Sequence, residues 1–243
     1  MLNRFLFIIC GLALLTGCQQ QPAAVPLAYG PDVNTIFVTD PFISRAIAAT
    51  GGYEAWLNTK KLELDCVVTF YNSDGSFYLT QQRHEIYPWS NSIRISAVEP
   101  QSKFVWLLSQ DNFTPAQAQI QYDIRNTIYA VRDITIAPVR FLDKSAEFSK
   151  RSEPVKMQGL WYYPIRCSRV TSDEARKVLF YQSRDTSLID MVSFVSGKES
   201  LLVRGYDYRK VRATDVFLPT KIEIFETNPA GVIQQRLLKI DYH

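Results

Sequence analysis

The stretch LELDCVVTFYNSDG, residues 62–75, decides the fold class of this 243-residue chain. Over residues 62–71 every second residue is apolar, which is the period of a strand with one buried face. The apolar side of this strand carries Leu62, Leu64, Cys66, Val68 and Phe70. The sequence NSDG at 72–75 is typical of a tight turn, and a second strand is predicted from about Phe77 to Tyr87. The segment is therefore a predicted β-hairpin.

The same period recurs along most of the chain. Further strands are predicted at about 92–97, 103–109, 161–168, 177–182, 188–195, 201–208, 218–224 and 238–242. The segment 103–109 is apolar on both sides, so we expect it to be buried from both directions. Short, turn-rich connections separate the strands, and this predicts an antiparallel meander rather than alternating strands and helices.

Two segments have the spacing of helices instead. Asp40 and Pro41 are an N-cap and a first helical residue, and Gly51-Gly52 ends this helix before one more short turn at 53–57. In the second segment, 114–143, TPAQ has the form of a capping box, and isoleucines follow at helical spacing. Pro138 should break or kink it, so we expect one long helix or two in sequence.

About ten strands of one twisted sheet must curl, because open sheets of that size rarely stay flat. A curled sheet has a concave apolar face, and the two helical segments are the candidates to cover it. We therefore predict a mainly β (α+β) domain over residues 40–243. It is a curled antiparallel half-barrel of about ten strands, with two helical segments covering its concave face.

Residues 1–18 have the pattern of an export signal. Arg4 precedes an apolar run, Phe5 to Leu15, which is too short to span a bilayer core of about 30 Å. The sequence LTGC at 15–18 resembles the lipobox of bacterial lipoproteins. That resemblance implies removal of residues 1–17 and attachment of diacylglycerol, and often palmitate, at Cys18. The alternative is an ordinary signal peptide with a chance cysteine.

The residues that follow this cysteine predict the membrane to which the protein is sorted and a flexible tether. Gln19, rather than Asp, follows Cys18, and this resembles the lipoproteins that are sorted to the outer membrane. Residues 18–39 contain Gln, Pro and Ala without any hydrophobic period, which is typical of a flexible tether.

The remaining chain is close to neutral. Cleavage of the predicted signal removes Arg4, one of the 27 Lys and Arg, and leaves 26 basic residues against 24 Asp and Glu. These charges are scattered, so nothing indicates nucleic-acid binding.

Two cysteines remain in the predicted domain, Cys66 and Cys167. Both fall on the apolar side of a predicted strand. An exported protein meets an oxidising compartment, so the two could form a disulfide. The alternative is a pair of buried thiols that act as small hydrophobic side chains. Their spacing matches no metal site.

The sequence gives little sign of catalysis. It contains no Gly-x-Ser-x-Gly motif, no phosphate-binding glycine loop, and two histidines, His84 and His243. We interpret His84 as a solvent-facing residue of a strand rather than a catalytic base. Glu63 and Asp65 share one strand face, which is either an acid pair or, as we favour, the solvated side of the strand. We therefore predict no enzymatic activity, no metal and no cofactor.

Five aromatic residues fall on strand faces that could line the concavity. They are Phe70, Trp106, Trp161, Tyr163 and Phe180. One interpretation is an apolar pocket for acyl chains. The other is an ordinary core packed against the helices.

Several short segments of the C-terminal half resemble the LolA/LolB-like family. They are GLWYY at 159–163, VLFY at 178–181, DTSL at 185–188, GYDY at 205–208 and FLPTK at 217–221. The family fold is a half-open antiparallel β-barrel with helices in its mouth, and its members include periplasmic carriers and receptors of lipoproteins. The resemblance covers about residues 40–243. No position of this chain can be matched to the arginine that contacts lipid in that family.

Taken together, these patterns predict a lipid-anchored lipoprotein of the outer membrane that faces the periplasm. We expect it to bind a lipid, an acyl chain or the lipid of a lipoprotein in a hydrophobic cavity. The alternative is a structural or assembly lipoprotein that binds an envelope protein through a filled β domain. In both cases the membrane is a partner through the N-terminal lipid.

Overall fold

A computed structural model describes residues 40–98, 105–109, 112–116, 124–142, 146–150, 153–169, 177–196 and 199–243. The predicted signal peptide 1–17, the predicted lipidation site Cys18 and the predicted tether 18–39 lie outside these residues. The described chain begins with α1 (Pro41–Ala49) and α2 (Tyr53–Asn58). The Asp40 carboxylate accepts a hydrogen bond of 2.7 Å from the backbone N–H of Phe42, which confirms the predicted N-cap.

The strands and remaining helices follow in chain order. They are β1 (Leu62–Tyr71), β2 (Phe77–Tyr87), β3 (Ser92–Ala97), β4 (Val105–Ser109), β5 (Asn112–Ala116), α3 (Ile124–Thr135), α4 (Ala137–Arg140), β6 (Ala146–Lys150), β7 (Val155–Met157), β8 (Leu160–Arg169), β9 (Lys177–Ser183), β10 (Ile189–Ser196), β11 (Glu199–Lys210), β12 (Phe217–Thr227) and β13 (Ile233–Tyr242). The predicted hairpin at 62–87 is confirmed as β1 and β2, which pair antiparallel along their whole length.

All the strands belong to one antiparallel sheet. In the described parts of the chain its order is β5-β4-β3-β2-β1-β13-β12-β11-β10-β9-β8-β6, and β7 also pairs with β8. The sheet does not close, because β5 lies at one end of this order and β6 at the other. The C-terminal strand β13 is inserted beside β1, where Phe70 faces Leu238 and Cys66 faces Tyr242. The predicted curled, open antiparallel sheet is therefore confirmed.

The main core lies on the concave face of the sheet. Alternate residues of the strands supply it, as in β1, where Leu62, Cys66, Val68 and Phe70 are all buried. Helix α3 lies against this face, contacts β3, β10, β11 and β12, and adds its own buried apolar side chains. Helix α1 contacts α4 at one end of the sheet. Helices thus cover the concave face as predicted.

A second, smaller core lies on the outer face of the sheet. It consists of Tyr162, Tyr181, Met191, Leu202 and Phe225, which are all buried. These residues alternate with concave-face residues such as Phe180, Val203 and Ile224 along β9, β11 and β12. Part of the sheet is therefore apolar on both sides. In β4, Trp106, Leu107 and Leu108 are all buried, as predicted for the segment 103–109.

The predicted helix 114–143 is wrong in its first part. Residues 112–116 form strand β5, where Trp106 faces Pro115. A proline fits there because β5 is an edge strand, with one side that has no neighbour to bond. Residues 117–123 of the predicted helix lie outside the described residues, in which α3 runs from Ile124 to Thr135. Ile136 interrupts the helix at φ −109°, ψ 20° before Pro138. The break expected at Pro138 is confirmed. The short strands β6 and β7 were not predicted.

Candidate ligand-binding concavity

The concave face presents an almost wholly aliphatic and aromatic surface. At its centre Val192, Val203, Ile222 and Ile224 come from β10, β11 and β12, and all four have 0% exposure. Ile128, Val131 and Ile134 of α3 are each 1% exposed and belong to the same core. An apolar surface between a sheet and a helix is suited to hold hydrocarbon, because both are the kind of surface that water solvates poorly.

The five predicted aromatic residues do not all reach this surface. Phe70, Trp106 and Phe180 are buried in the concave core. Tyr163 is half-buried, and its ring centroid lies 5.4 Å from that of Phe42 in α1. Trp161 is 42% exposed, with the Nζ of Lys156 at 6.0 Å from its ring centroid. Trp161 alternates with Tyr162 of the outer face, so it lies on the concave side of β8, but near the start of the strand and outside the buried core.

Two further aromatic residues of the concavity were not found from the sequence. Phe141 follows α4 and Phe148 lies in β6. Their ring centroids are 4.9 Å apart, and that of Phe141 lies 5.3 Å from that of Phe180. The three rings pack edge to face, which is a favourable aromatic arrangement. Because strand β6 was not predicted from the sequence, Phe148 was not recognised as part of this cluster.

His84 is buried at 1% exposure, so the predicted solvent-facing position is wrong. It lies opposite Leu64 of β1, on the concave face. Its Nδ1 lies 2.9 Å from the hydroxyl oxygen of Tyr242, and its Nε2 lies 3.0 Å from the Oε1 of Gln82. Burial lowers the pKa of His84 to about 3. The ring is therefore neutral at ordinary pH, with Nε2–H donating to Gln82 and Nδ1 accepting from Tyr242.

This histidine belongs to a chain of polar contacts that joins the sheet to α3. The Sγ of Cys66 lies 3.5 Å from His84 Nε2. Tyr242 also makes a side-chain hydrogen bond with Thr135, the last residue of α3. The contacts thus run from β2 across β1 and β13 to the covering helix. We call His84, Tyr242 and Thr135 the polar latch.

A buried ionic network fixes the same end of α3. Asp133 Oδ1 lies 2.7 Å from Arg132 Nη2 and 3.4 Å from Arg140 Nε. These three side chains are at most 4% exposed. Arg132 Nη1 also donates to the backbone carbonyl of Asn91, in the turn between β2 and β3, at 3.3 Å. Burial lowers the pKa of Arg132, while Asp133 opposes this effect. Breaking a buried ion pair of this kind is costly, because it leaves a charge without a partner and without water.

The two cysteines of the domain are buried and are not bonded to each other. Of the two alternatives, the structure thus has the pair of buried thiols rather than the disulfide. Burial raises the pKa of the Cys66 thiol. Glu63 and Asp65 are exposed and pair with Lys61 and Arg83, with 2.7 Å between Asp65 Oδ1 and Arg83 Nε. They lie on the solvated side of β1, as we favoured.

The described residues hold no group of three or more His, Cys, Asp or Glu side chains arranged to bind a metal ion. In that same part of the chain, none of the helices has the length and hydropathy needed to cross a bilayer.

The fold has relatives among solved structures. The LolA superfamily protein NE2245 from Nitrosomonas europaea superposes with a TM-score of 0.50 at 11% identity, covering 83% of this chain and 90% of that one. A DUF1329 family protein from Desulfovibrio piger ATCC 29098 gives a TM-score of 0.46 at 9% identity, with the same coverage. No family model matches the sequence, nor does any curated protein. The chain thus has a LolA-like fold, as the sequence resemblance implied.

Proposed function

We propose that this chain is a lipid-anchored outer-membrane lipoprotein that faces the periplasm and binds a lipid or acyl chain in its concavity. The observation that carries the proposal is the open sheet whose apolar concave face is covered by α3. The LolA-like fold is consistent with a protein that binds lipid. The sequence LTGC at 15–18 supports the anchor and the destination.

The way in which α3 is held favours a cover that can move. Polar contacts hold its C-terminal end, at Arg132, Asp133 and Thr135. Ile128 and Val131 of the same helix are buried in the concave core. An acyl chain can replace such apolar contacts with little change in free energy, since it buries the same kind of surface.

We also propose that the protein acts without catalysis. The buried imidazole of His84 is held neutral and has hydrogen-bond partners at both nitrogens. Glu63 and Asp65 are exposed and ion-paired on the outer face. Neither arrangement provides an acid or base aimed at a bound molecule.

A photoreactive fatty acid tests the binding proposal directly. The purified protein is irradiated with a diazirine fatty acid, and the labelled peptides are mapped by mass spectrometry. We expect labels on concave-face residues such as Phe70 and Phe180, and competition by unlabelled palmitate. Labels confined to the outer face, or no competed label at micromolar protein, would contradict the proposal.

A pair of neighbouring variants sharpens this test. Val192→Trp places a large ring on the concave face beneath α3, whereas Ser193→Trp places it on the opposite face of the same strand. If the concavity receives ligand, the first variant stays folded by circular dichroism and loses competed labelling, because the indole occupies the ligand volume. The second variant keeps its labelling.

A structural or assembly role remains the second candidate, and one observation favours it. Phe141, Phe148 and Phe180 pack against each other inside the concavity, so the chain itself fills part of that space. For a filled domain, Val192→Trp would unfold the protein, since overpacking a dense core is costly. Photocrosslinking from the outer face in cell envelopes would then capture one dominant protein neighbour.

A further inference from the structure

Large apolar side chains are exposed together at one end of the sheet. Phe77 is 61%, Leu79 56%, Val232 57% and Ile233 38% exposed. Phe77 and Leu79 follow the β1–β2 turn, and Val232 and Ile233 follow the β12–β13 turn. These two turns are neighbours, because β1 pairs with β13. Single exposed apolar residues are common, but a cluster on adjacent turns indicates a contact surface.

Side-chain contacts beside these residues join neighbouring strands of the sheet. The ring centroids of Phe77 and Tyr71 are 6.3 Å apart. The guanidinium of Arg236 lies 5.3 Å from the Tyr71 ring and 5.9 Å from the Phe225 ring. We call the set Tyr71, Phe77, Leu79, Val232, Ile233 and Arg236 the hairpin-tip patch.

We propose that the hairpin-tip patch docks on the surface of a lipid bilayer. Exposed Phe, Leu, Val and Ile side chains can enter the boundary between headgroups and acyl chains. Tyrosine is enriched at that boundary, where its ring has an apolar body and a polar end. Arg236 adds a long side chain that can keep its guanidinium at the headgroups while its stem stays among apolar groups.

The charges around the patch favour a neutral bilayer over an anionic one. Arg236 is paired with Glu223, with 3.2 Å between Nε and Oε1. Asp74 in the β1–β2 turn is hydrogen-bonded to Ser76, and Glu226 near the end of β12 is hydrogen-bonded to Gln235. These three carboxylates outnumber the guanidinium of Arg236, so anionic lipid should not be attracted to the patch. We expect docking to depend weakly on salt.

The docking surface rests on the proposed lipid anchor at Cys18, which would hold the domain beside a membrane. The described chain starts at the other end of the sheet, where Phe42 contacts Tyr163 and the carbonyl of Thr50 accepts from Phe217 N–H. A ten-residue strand such as β1 is about 33 Å long. The 22 residues from 18 to 39 can extend to about 75 Å at most. A tether of this length allows the hairpin-tip patch, at the end of the sheet away from Phe42, to face the bilayer.

Depth-dependent quenching tests the docking. Full-length lipidated protein with Val232→Cys is labelled with nitrobenzoxadiazole and reconstituted in phosphatidylcholine vesicles that contain spin-labelled acyl chains. Cys66 and Cys167 are buried and should not react. The matched control is Asp185→Cys, exposed in the β9–β10 turn at the opposite end. We expect strong quenching at 232 and little at 185. Adding Phe77→Ser and Leu79→Ser to the Val232→Cys variant should remove most of the quenching at position 232.

Other outcomes would overturn the docking and separate it from the proposed function. The protein could float with the vesicles and become labelled by the fatty acid, yet show equal, weak quenching at both positions. That result would reject docking by the hairpin-tip patch and leave the proposed lipid-anchored, lipid-binding function intact. A blue shift of the label at 232 without vesicles, together with a dimeric mass, identifies a second copy of the chain as the occupant. Quenching at 232 in protein that takes up no fatty acid keeps the patch and rejects the carrier.

Discussion

The Nδ1 of His84 lies 2.9 Å from the hydroxyl of Tyr242, although 158 residues separate them in the chain. The sheet topology brings them together. Strand β1 lies between β2 and β13, so His84 faces Leu64 on one side of β1 while Tyr242 faces Cys66 on the other. The two side chains meet across β1 on the concave face. This side-chain hydrogen bond thus adds to the backbone pairing of β1 with β13 that joins the N-terminal and C-terminal parts of the sheet.

Removing the hydroxyl of Tyr242 tests this connection. Tyr242→Phe leaves the buried Nδ1 of His84 without the O–H that donates to it, and removes the contact with Thr135. A buried polar group that loses its partner costs about 1–3 kcal/mol. We expect the free energy of unfolding in urea to fall by that amount.

The matched control for Tyr242→Phe is Tyr53→Phe. The hydroxyl oxygen of Tyr53 is buried and has no hydrogen-bond partner among the described residues. Removing it breaks no hydrogen bond, so stability should fall by no more than about 0.5 kcal/mol. Equal effects of the two substitutions would show that the polar latch contributes nothing specific.

Asp190 should make the stability depend on pH. It lies in β10, where a bulge separates Ile189 from Met191, and it makes a hydrogen bond with Tyr162. Burial raises its pKa from 3.8 to about 6. Between these two values the folded state therefore binds more protons than the unfolded state, so this carboxyl lowers stability as pH rises from about 4 to 6.

Replacing Asp190 by asparagine isolates this effect. An amide keeps an oxygen that can accept from Tyr162 but has no charge to desolvate. We expect Asp190→Asn to be more stable than the wild type by about 1–3 kcal/mol at pH 7.5, with the difference vanishing near pH 4. The measurement is urea unfolding at a series of pH values. A difference that is the same at pH 4 and pH 7.5 would refute the assignment.

The sequence was sufficient where one local rule decided the structure. The alternation at 62–71 predicted β1 and its buried side, and Asp40-Pro41 predicted the start of α1. It failed where two rules competed. The segment 112–116 contains a capping-box pattern, yet pairing with β4 at the sheet edge made it a strand. Tertiary pairing overrides local propensity in such short segments.

The polar contacts of the site could not be predicted for a different reason. His84 falls in a polar run, QQRHE, so its burial depends on Tyr242, which is remote in sequence. The charges of Arg132 and Asp133 look like a solvated helix face until Asn91 is placed beside them. A buried polar residue is recognisable only together with its partner.

Asp133 should be far more important to stability than a surface carboxylate. Its Oδ1 contacts both Arg132 and Arg140 inside the protein. Asp133→Ala removes one partner of this buried ionic group. We expect it to cost about 3–5 kcal/mol, because the arginine charges are left without a partner and without water. The control is Asp65→Ala, which breaks an exposed pair with Arg83 and should cost at most about 1 kcal/mol. Thermal unfolding of the two variants would be compared, and similar losses would contradict the buried network.

Gly51 should be irreplaceable at the contact between α1 and β12. Its φ is +113°, and a Cβ there would overlap the backbone carbonyl oxygen of Asp215. The matched control is Gly75, with φ +84° and open space around the same position. Gly75→Ala should cost about 1–2 kcal/mol from the backbone conformation alone. Gly51→Ala should cost clearly more in urea unfolding, because the carbonyl must also move; equal costs would show that this contact is loose.

Lipidation at Cys18 is the prediction on which the cellular location depends. If LTGC at 15–18 is a lipobox, cells fed an alkyne analogue of palmitate should label the protein. Cys18→Ser should abolish the label and leave residues 1–17 attached, since cleavage follows thiol modification in lipoproteins. Cys10→Ser changes the other cysteine of this segment and should keep both label and cleavage.

Sorting provides an independent measure of the same anchor. Two or three acyl chains hold a protein firmly, whereas one chain binds only marginally. The lipidated protein should therefore stay with the outer membrane on a density gradient, and salt should not release it. Gln19→Asp should move it to the inner membrane, because the residue after the lipidated cysteine helps to direct sorting. A protein that fractionates with the soluble periplasm, unlabelled and cleaved, would mean that Cys18 is only a chance neighbour of an ordinary signal peptide.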